Sequence, residues 1–363
     1  MSESLICLIT GLTMIVKKIK PDGLCGFMRF YSVSCINILS HIARSNIHRI
    51  FAVIMMASIS GSAQQNPNFS NYLFNNYGIN PAYLAKGNCL DVRIGRRNQW
   101  VGFPNGPLMT FISFNKSFKK KAFRNYWHGI GLYLEQDKMD AIKSDAAYFN
   151  YSYHLRVSDD YFASFGMFAG AKAYSMSLEY FDEADPAFQA LGNVVVPLDI
   201  AVGARLYSKT NFFDFAVRNT YMNKIKLGPK QVGTPSKLVP HINIIAGRRI
   251  ESGAYYYTYV PSVNVRWALM SPPSVDLSFM MFIKKKIGFG LSYRYNDAII
   301  GLFQYKYKNS LSIAMGYDYM LSRLRVGSSG ITGPSSREIM LGFNSCPPGQ
   351  DIQRSTGCPA YDK

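Results

Sequence analysis

Charge is scarce in this chain. Asp, Glu, Lys and Arg make up 17% of its residues, against about 25% in a typical soluble domain, which argues against an ordinary water-facing surface. Helical periodicity is missing too. After Gln64 no long stretch repeats apolar residues every 3.6 positions, so a helical bundle is excluded. There is no G-x-S-x-G, HExxH, P-loop or dinucleotide fingerprint, and no Cys/His cluster has zinc spacing. No catalytic, metal or cofactor residue is therefore expected. Beyond residue 63 the only histidines are His128, His154 and His241. A Ser-His-Asp or Ser-His-Asn site needs a His beside a Ser and an acid or amide on a neighbouring strand. His154, near Ser152, is the one possible start of such a site.

Aromatic residues are plentiful at 14%, with 25 Tyr and 24 Phe against 3 Trp. Low charge with many Tyr and Phe suits a sheet that meets lipid on one face and needs aromatic anchors at two interfaces. The formal charge is +18. Residues 1–63 hold six basic and two acidic residues, leaving +14 for the rest. The basic residues form no run denser than Lys119-Lys120-Lys121 or Lys284-Lys285-Lys286, so nucleic acid is not the expected partner. A basic barrel touching anionic lipid or an acidic partner is.

The first 63 residues read as a leader. The run IFAVIMMASIS at 50–60 has signal-peptide length, is too short to span a bilayer, and follows His48 and Arg49. Gly61-Ser62-Ala63 then offers small residues to a signal peptidase, so cleavage before Gln64 is expected. No Cys follows to carry a lipid anchor. The long preface makes Met28 a candidate true start.

From there the chain alternates in segments of about ten residues bounded by Gly, Asn, Asp, Ser and Pro. In 287–295, Ile287, Phe289, Leu291, Tyr293 and Tyr295 share one face, while Gly288, Gly290, Ser292 and Arg294 share the other. The stretches 198–206, 275–283, 299–307 and 310–319 repeat the pattern, although Ile300 and Leu302 blur the polar face of one. Asn296-Asp297, Lys308-Asn309 and Lys209-Thr210 are hairpin spacings, so neighbouring strands should run antiparallel. About fourteen strands are expected, starting near Leu90, Leu108, His128, Ala146, Phe162, Leu198, Phe212, Ile242, Tyr257, Val275, Ile287, Ala298, Leu311 and Arg337. Longer connections fall at 177–197 and 224–240.

The expected fold is all-β, an antiparallel transmembrane barrel of residues 90–344 in the outer membrane. It follows the leader 1–63 and an N-terminal periplasmic segment 64–89, and precedes a Cys- and Pro-containing tail 345–363. A soluble β-sandwich also alternates. However, its dry core would not tolerate Arg205, Arg218, Arg294, Asp199, Asp214, Asp276 and Asp318 on one face. In a barrel these residues either line a charged lumen or pair across it and fill it. Cys346 and Cys358 bracket a loop in the tail, a possible disulfide after export. Trp100, with Gln99 and Phe103, ends the first strand, either as an interfacial anchor beside a tight Gly turn or as a docking or plug contact at the rim.

The order of motifs resembles one family. Gln64-Gln65-Asn66-Pro67-Asn68-Phe69-Ser70-Asn71-Tyr72 leads into Asn80-Pro81-Ala82-Tyr83, and Arg97-Asn98-Gln99-Trp100-Val101-Gly102-Phe103 precedes Gly106-Pro107. Asp185-Pro186-Ala187-Phe188, Gly290-Leu291-Ser292-Tyr293-Arg294, Gly316-Tyr317-Asp318-Tyr319 and Glu338-Ile339-Met340-Leu341 follow in turn. Over about 64–344 this is similar to the PorP/SprF family of the type IX secretion system of Bacteroidota. Pro107 follows Gly106 directly, where the family usually inserts Ala. The resemblance implies a non-catalytic outer-membrane β-barrel serving protein secretion and gliding motility. Its partners would be a periplasmic ring lipoprotein and a peptidoglycan-binding protein, or a large secreted adhesin whose export and surface placement it supports. A porin-like passive channel and an outer-membrane lipid hydrolase are the rival readings.

Overall fold

A computed structural model of the chain describes residues 69–83, 90–118, 125–176, 194–221, 224–225, 236–252, 256–269, 271–308, 310–321 and 335–345. The expected leader, Asp185, Pro186 and the Cys346/Cys358 pair lie outside the described residues. The strands are β1 (Leu90–Val101), β2 (Leu108–Phe118), β3 (Tyr126–Met139), β4 (Ile142–Arg156), β5 (Phe162–Met176), β6 (Val194–Tyr207), β7 (Asn211–Arg218), β8 (Lys224–Ile225), β9 (Ser236–Lys237), β10 (His241–Arg248), β11 (Ile250–Ser252), β12 (Tyr257–Ala268), β13 (Ser274–Ile283), β14 (Ile287–Arg294), β15 (Ala298–Tyr307), β16 (Leu311–Met320) and β17 (Ser335–Asn344). One helical turn, α1 (Asn76–Ile79), precedes them.

Apart from β10 and β11, strands of the main sheet that follow one another in sequence pair antiparallel, β1 pairs with β17, and β10 pairs with β12, so the sheet closes on itself. β11 continues β10 in the same register against β12. The ladder breaks between them opposite Pro261, which has no N–H to donate. Counted that way, the barrel has 14 strands. β8 and β9 form a separate two-stranded ladder between β7 and β10. Closure matters because lipid cannot satisfy an open sheet edge.

All fourteen expected strands are present. β3 and β4 begin earlier than read, at Tyr126 and Ile142 rather than His128 and Ala146. β6 begins at Val194, inside the connection expected at 177–197. Pro197 falls in the register shift of β6 against Gly170 and Lys172, where a residue lacking N–H is tolerated. The two rims differ. One carries connections of three to seven residues, such as 208–210, 284–286 and 308–310, and both ends of the barrel strands. The other carries the connections 177–193, 219–240 and 321–334.

The outer wall is apolar, with exposed Phe289, Leu291, Met315, Ile339 and Leu341. Exposed Tyr126, Tyr256, Tyr257 and Tyr307 ring the short-turn rim, while Tyr293, Tyr295, Tyr317 and Tyr319 ring the other. These are the band and girdles of a barrel in an outer membrane. The inner face is more apolar than read: Met280 and Phe282 join Ile300 and Leu302, the two exceptions already noted. All four point inward and are buried. Their position has a physical cause: the interior is filled by the protein's own chain.

Candidate functional site

Residues 69–83 have no strand partner, yet all but Ile79 are buried inside the barrel. An irregular segment there must satisfy its backbone groups locally or on the wall. It does both. Phe74 and Asn75 N–H donate to the Asn71 carbonyl at 3.1 and 3.2 Å, Asn80 N–H to Asn76 at 2.9 Å, and Tyr83 N–H to Asn80 at 3.0 Å. Asn80 Oδ1 accepts the Ala82 N–H at 2.9 Å, the side-chain turn that Asn favours. The wall supplies the rest. Asn150 Nδ2 donates to the Pro81 carbonyl at 3.0 Å, Ser164 Oγ to Ala82 at 2.9 Å, and Arg93 to Phe74. A Cβ on Gly166 would stand 2.1 Å from the Pro81 oxygen, and one on Gly203 2.0 Å from Asn80 Oδ1. Only glycine lets the wall approach this turn so closely.

Apolar contacts share the work. Tyr72 and Leu73 pack with Ile245, Val260, Met280, Phe282, Ile300 and Leu302. Phe69, Phe74 and Tyr77 pack with Met109, Phe111, Tyr133, Phe168 and Met340. Phe69 meets Phe111 edge-on at 5.0 Å, and Tyr72 OH lies 2.7 Å from Ser262 Oγ.

The start of the plug is bound by a buried ion network. Glu338 accepts the backbone N–H groups of Ser70 at 2.8 Å and Asn71 at 2.5 Å. Arg97 donates to Glu338 at 3.0 Å, to Asp318 at 2.6 Å and to Ser70 Oγ at 2.8 Å. Ser70 Oγ donates to Asp318 at 2.7 Å and accepts from Arg294 at 3.0 Å. Arg294 then pairs with Asp276 at 3.0 Å, and Arg266 pairs with the same carboxylate at 2.9 Å. Gly316 makes room: a Cβ there would stand 2.6 Å from Glu338 Cγ.

Two further groups complete the filling. Arg218 of β7 reaches across the lumen to both oxygens of Glu135 on β3, at 2.9 and 3.0 Å, with Lys172 Nζ 4.0 Å from the same carboxylate. Arg205 pairs with Asp214 at 2.9 Å, and its guanidinium lies 4.0 Å from the Tyr83 ring and 4.7 Å from Tyr207. Asp199 accepts from Tyr148 at 2.8 Å. Charges so enclosed persist only when paired and hydrogen-bonded, and removing one partner strands the other.

The structure thus brings together Phe69, Tyr72, Asn80, Pro81 and Tyr83 in one plug. Gln99, Trp100, Gly102 and Phe103 sit instead at the β1–β2 hairpin. Trp100 has φ 55° at a register shift against β17, and Gly102 has φ 109° with open space around it. Ser152 Oγ lies 3.0 Å from His154 Nε2, but His154 Nδ1 faces Tyr207 OH at 3.4 Å and its ring stacks on Trp127 at 5.0 Å. Of a triad, only the Ser–His contact is formed. Sequence reasoning did not single out Ser70, Arg97, Glu135, Lys172 or Arg266. Ser70, Arg97 and Glu338 all fall within the quoted motifs, which was the available signal.

The family model described as "Type IX secretion system membrane protein PorP/SprF" matches residues 61–343. No curated protein matches. Among solved structures the chain is similar to the Ralstonia pickettii toluene transporter TbuX, at 10% identity and TM-score 0.45, over 73% of this chain and 91% of that one. It is similar to the Pseudomonas putida toluene transporter TodX at 8% and 0.41, over 79% and 96%. The translocator domain of autotransporter NalP from Neisseria meningitidis matches at 10% and 0.39, over 85% and 97%. Likeness at this level carries no argument about ligand or mechanism.

Proposed function

Because this chain belongs to the PorP/SprF family of type IX secretion system membrane proteins, and so is an outer-membrane component of that system, we propose that it acts as a plugged, non-catalytic scaffold. It would hold secretion partners at the membrane rather than conduct solutes. The observation that carries this reading is the filled lumen: residues 69–83 occupy it, bound to the wall by Glu338, Arg97, Asp318 and Arg294. A passive channel needs an open path, and a hydrolase needs a Ser and His that lipid can reach, whereas Ser152 and His154 are buried.

The short-turn rim, with both ends of the barrel, faces the periplasm in this reading, as barrels with short periplasmic turns do. That orientation agrees with export by a signal peptide cleaved before Gln64. In this reading a ring lipoprotein and a peptidoglycan-binding partner meet that periplasmic rim. The alternative role within the same reading is export and surface attachment of one large adhesin.

A deletion strain separates the two. Loss of all type IX cargo from the medium supports ring anchoring, and loss of one adhesin alone supports the cargo-specific role. Normal secretion and adhesion would refute both.

A further inference from the structure

Among the described residues, two neighbouring charges stand on the outer wall where lipid should be its solvent. Arg96 of β1 and Arg337 of β17 both point outward and are exposed. Arg96 lies opposite Ile339, and Arg337 opposite Asn98, so the two arginines are diagonal neighbours on one face, roughly 7–8 Å apart. Neither makes an ion pair or hydrogen bond among the described residues. Their outward neighbours are Ile94, Asn98, Thr110, Tyr317 and Ile339, none of them acidic. Glu338 turns inward to Arg97. Along the row through Arg96, the first outward carboxylate is Asp145, already held by Lys143 at 2.8 Å and Gln136 at 2.6 Å.

The cross-strand rows fix the depth. One runs Leu291, Gly301, Tyr317, Arg337, Asn98. The next runs Phe289, Phe303, Met315, Ile339, Arg96, Thr110. Strands in a barrel are tilted, so such a row climbs as it passes around the wall. Each row is apolar or aromatic until it reaches an arginine; the row through Arg96 is then polar through Thr110, Gln136 and Asp145, and the row through Arg337 passes Asn98 before Leu108. Both arginines therefore stand where hydrocarbon gives way to headgroups, at the level of the Tyr317–Tyr319 girdle on the long-loop rim. An unpaired guanidinium on a lipid-facing wall is strongly unfavourable at mid-membrane and tolerated only near the interface. Two of them side by side repel unless an anion sits between.

We propose that Arg96 and Arg337 form a clasp for the phosphate of an anionic lipid of the outer leaflet. Guanidinium suits this role because its planar fork donates two parallel hydrogen bonds to phosphate oxygens. Asn98 and Thr110 add polar groups beside the clasp, and Ile94 and Ile339 lie against the acyl chains.

The test uses the full chain purified in a neutral detergent, with lipid occupancy read by native mass spectrometry. Bisphosphorylated lipid A and its dephosphorylated form are titrated separately, with inorganic phosphate as competitor. The wild type should retain the phosphorylated lipid about tenfold better, and millimolar phosphate should not displace it. R96Q/R337Q should lower that occupancy to the dephosphorylated level, while R96K/R337K keeps most of it. The heat-modified gel shift reports folding of each variant. If the Gln variant does not fold, the two-lipid comparison on the wild type decides alone. Equal retention of both lipids, displacement by free phosphate, or binding of an acidic protein partner at these arginines without a lipid preference would overturn the proposal.

Discussion

Replacing Glu338 with Ala should unfasten the plug while leaving the barrel wall intact. Glu338 is 4% exposed and accepts three donors at once: Ser70 N–H at 2.8 Å, Asn71 N–H at 2.5 Å and Arg97 Nη1 at 3.0 Å. Its alanine variant leaves both N–H groups unpartnered and Arg97 with Asp318 as its only carboxylate. Each stranded buried donor costs about 1–3 kcal/mol, and breaking a buried pair about 3–5 kcal/mol. These penalties overlap. A combined loss on the order of 4 kcal/mol corresponds to roughly a thousandfold in the docked-to-undocked ratio. The assay is current through planar bilayers. The wild type should be silent, and the variant should show openings. A variant that inserts and resists heat like the wild type, yet stays equally silent, would refute the idea that this network holds the plug.

Other perturbations probe separate contacts. Arg205→Ala leaves Asp214 buried without its cation and removes the guanidinium from between Tyr83 and Tyr207, so a loss of about 3–5 kcal/mol is expected, read as a lower urea midpoint. Gly166→Ala pushes a Cβ against the Pro81 carbonyl. It should cost about 1–3 kcal/mol and lower the temperature of the heat-modified gel shift, without changing the apolar outer band. Ser152→Ala should leave secretion unchanged, because among the described residues no carboxylate orients His154. Loss of a lipid-releasing activity in that variant would instead favour the hydrolase reading.

The outer wall was legible in the sequence because lipid asks only for apolarity at every second position. Phe289, Leu291 and Tyr293 meet that demand wherever the strand sits, and all fourteen strands could be read. Strand ends were less legible where strands outrun the membrane. Lys143 and Asp145 extend β4 into water, where alternation no longer reports burial. The charged inner face was also legible: Arg205, Arg218, Arg294, Asp199, Asp214, Asp276 and Asp318 all lie inward and buried. Arg205 with Asp214 and Arg294 with Asp276 pair within that set, whereas Glu135, which Arg218 meets across the lumen from a strand far away in sequence, was not legible. The plug had no period to read. Residues 69–83 form one turn of helix and otherwise irregular chain, fixed by the wall rather than by local propensity. The hint lay in Ile300 and Leu302, two apolar residues on a face that water alone would have kept polar.

The central claim is that residues 69–83 are folded into the lumen, and hydrogen exchange on the detergent-solubilised protein tests it most directly. Amides of Ser70, Asn71, Phe74, Asn75, Asn80, Ala82 and Tyr83 are all hydrogen-bonded, so peptides covering them should exchange as slowly as the barrel strands. Complete exchange of that segment within seconds, beside protected strands, would contradict the account.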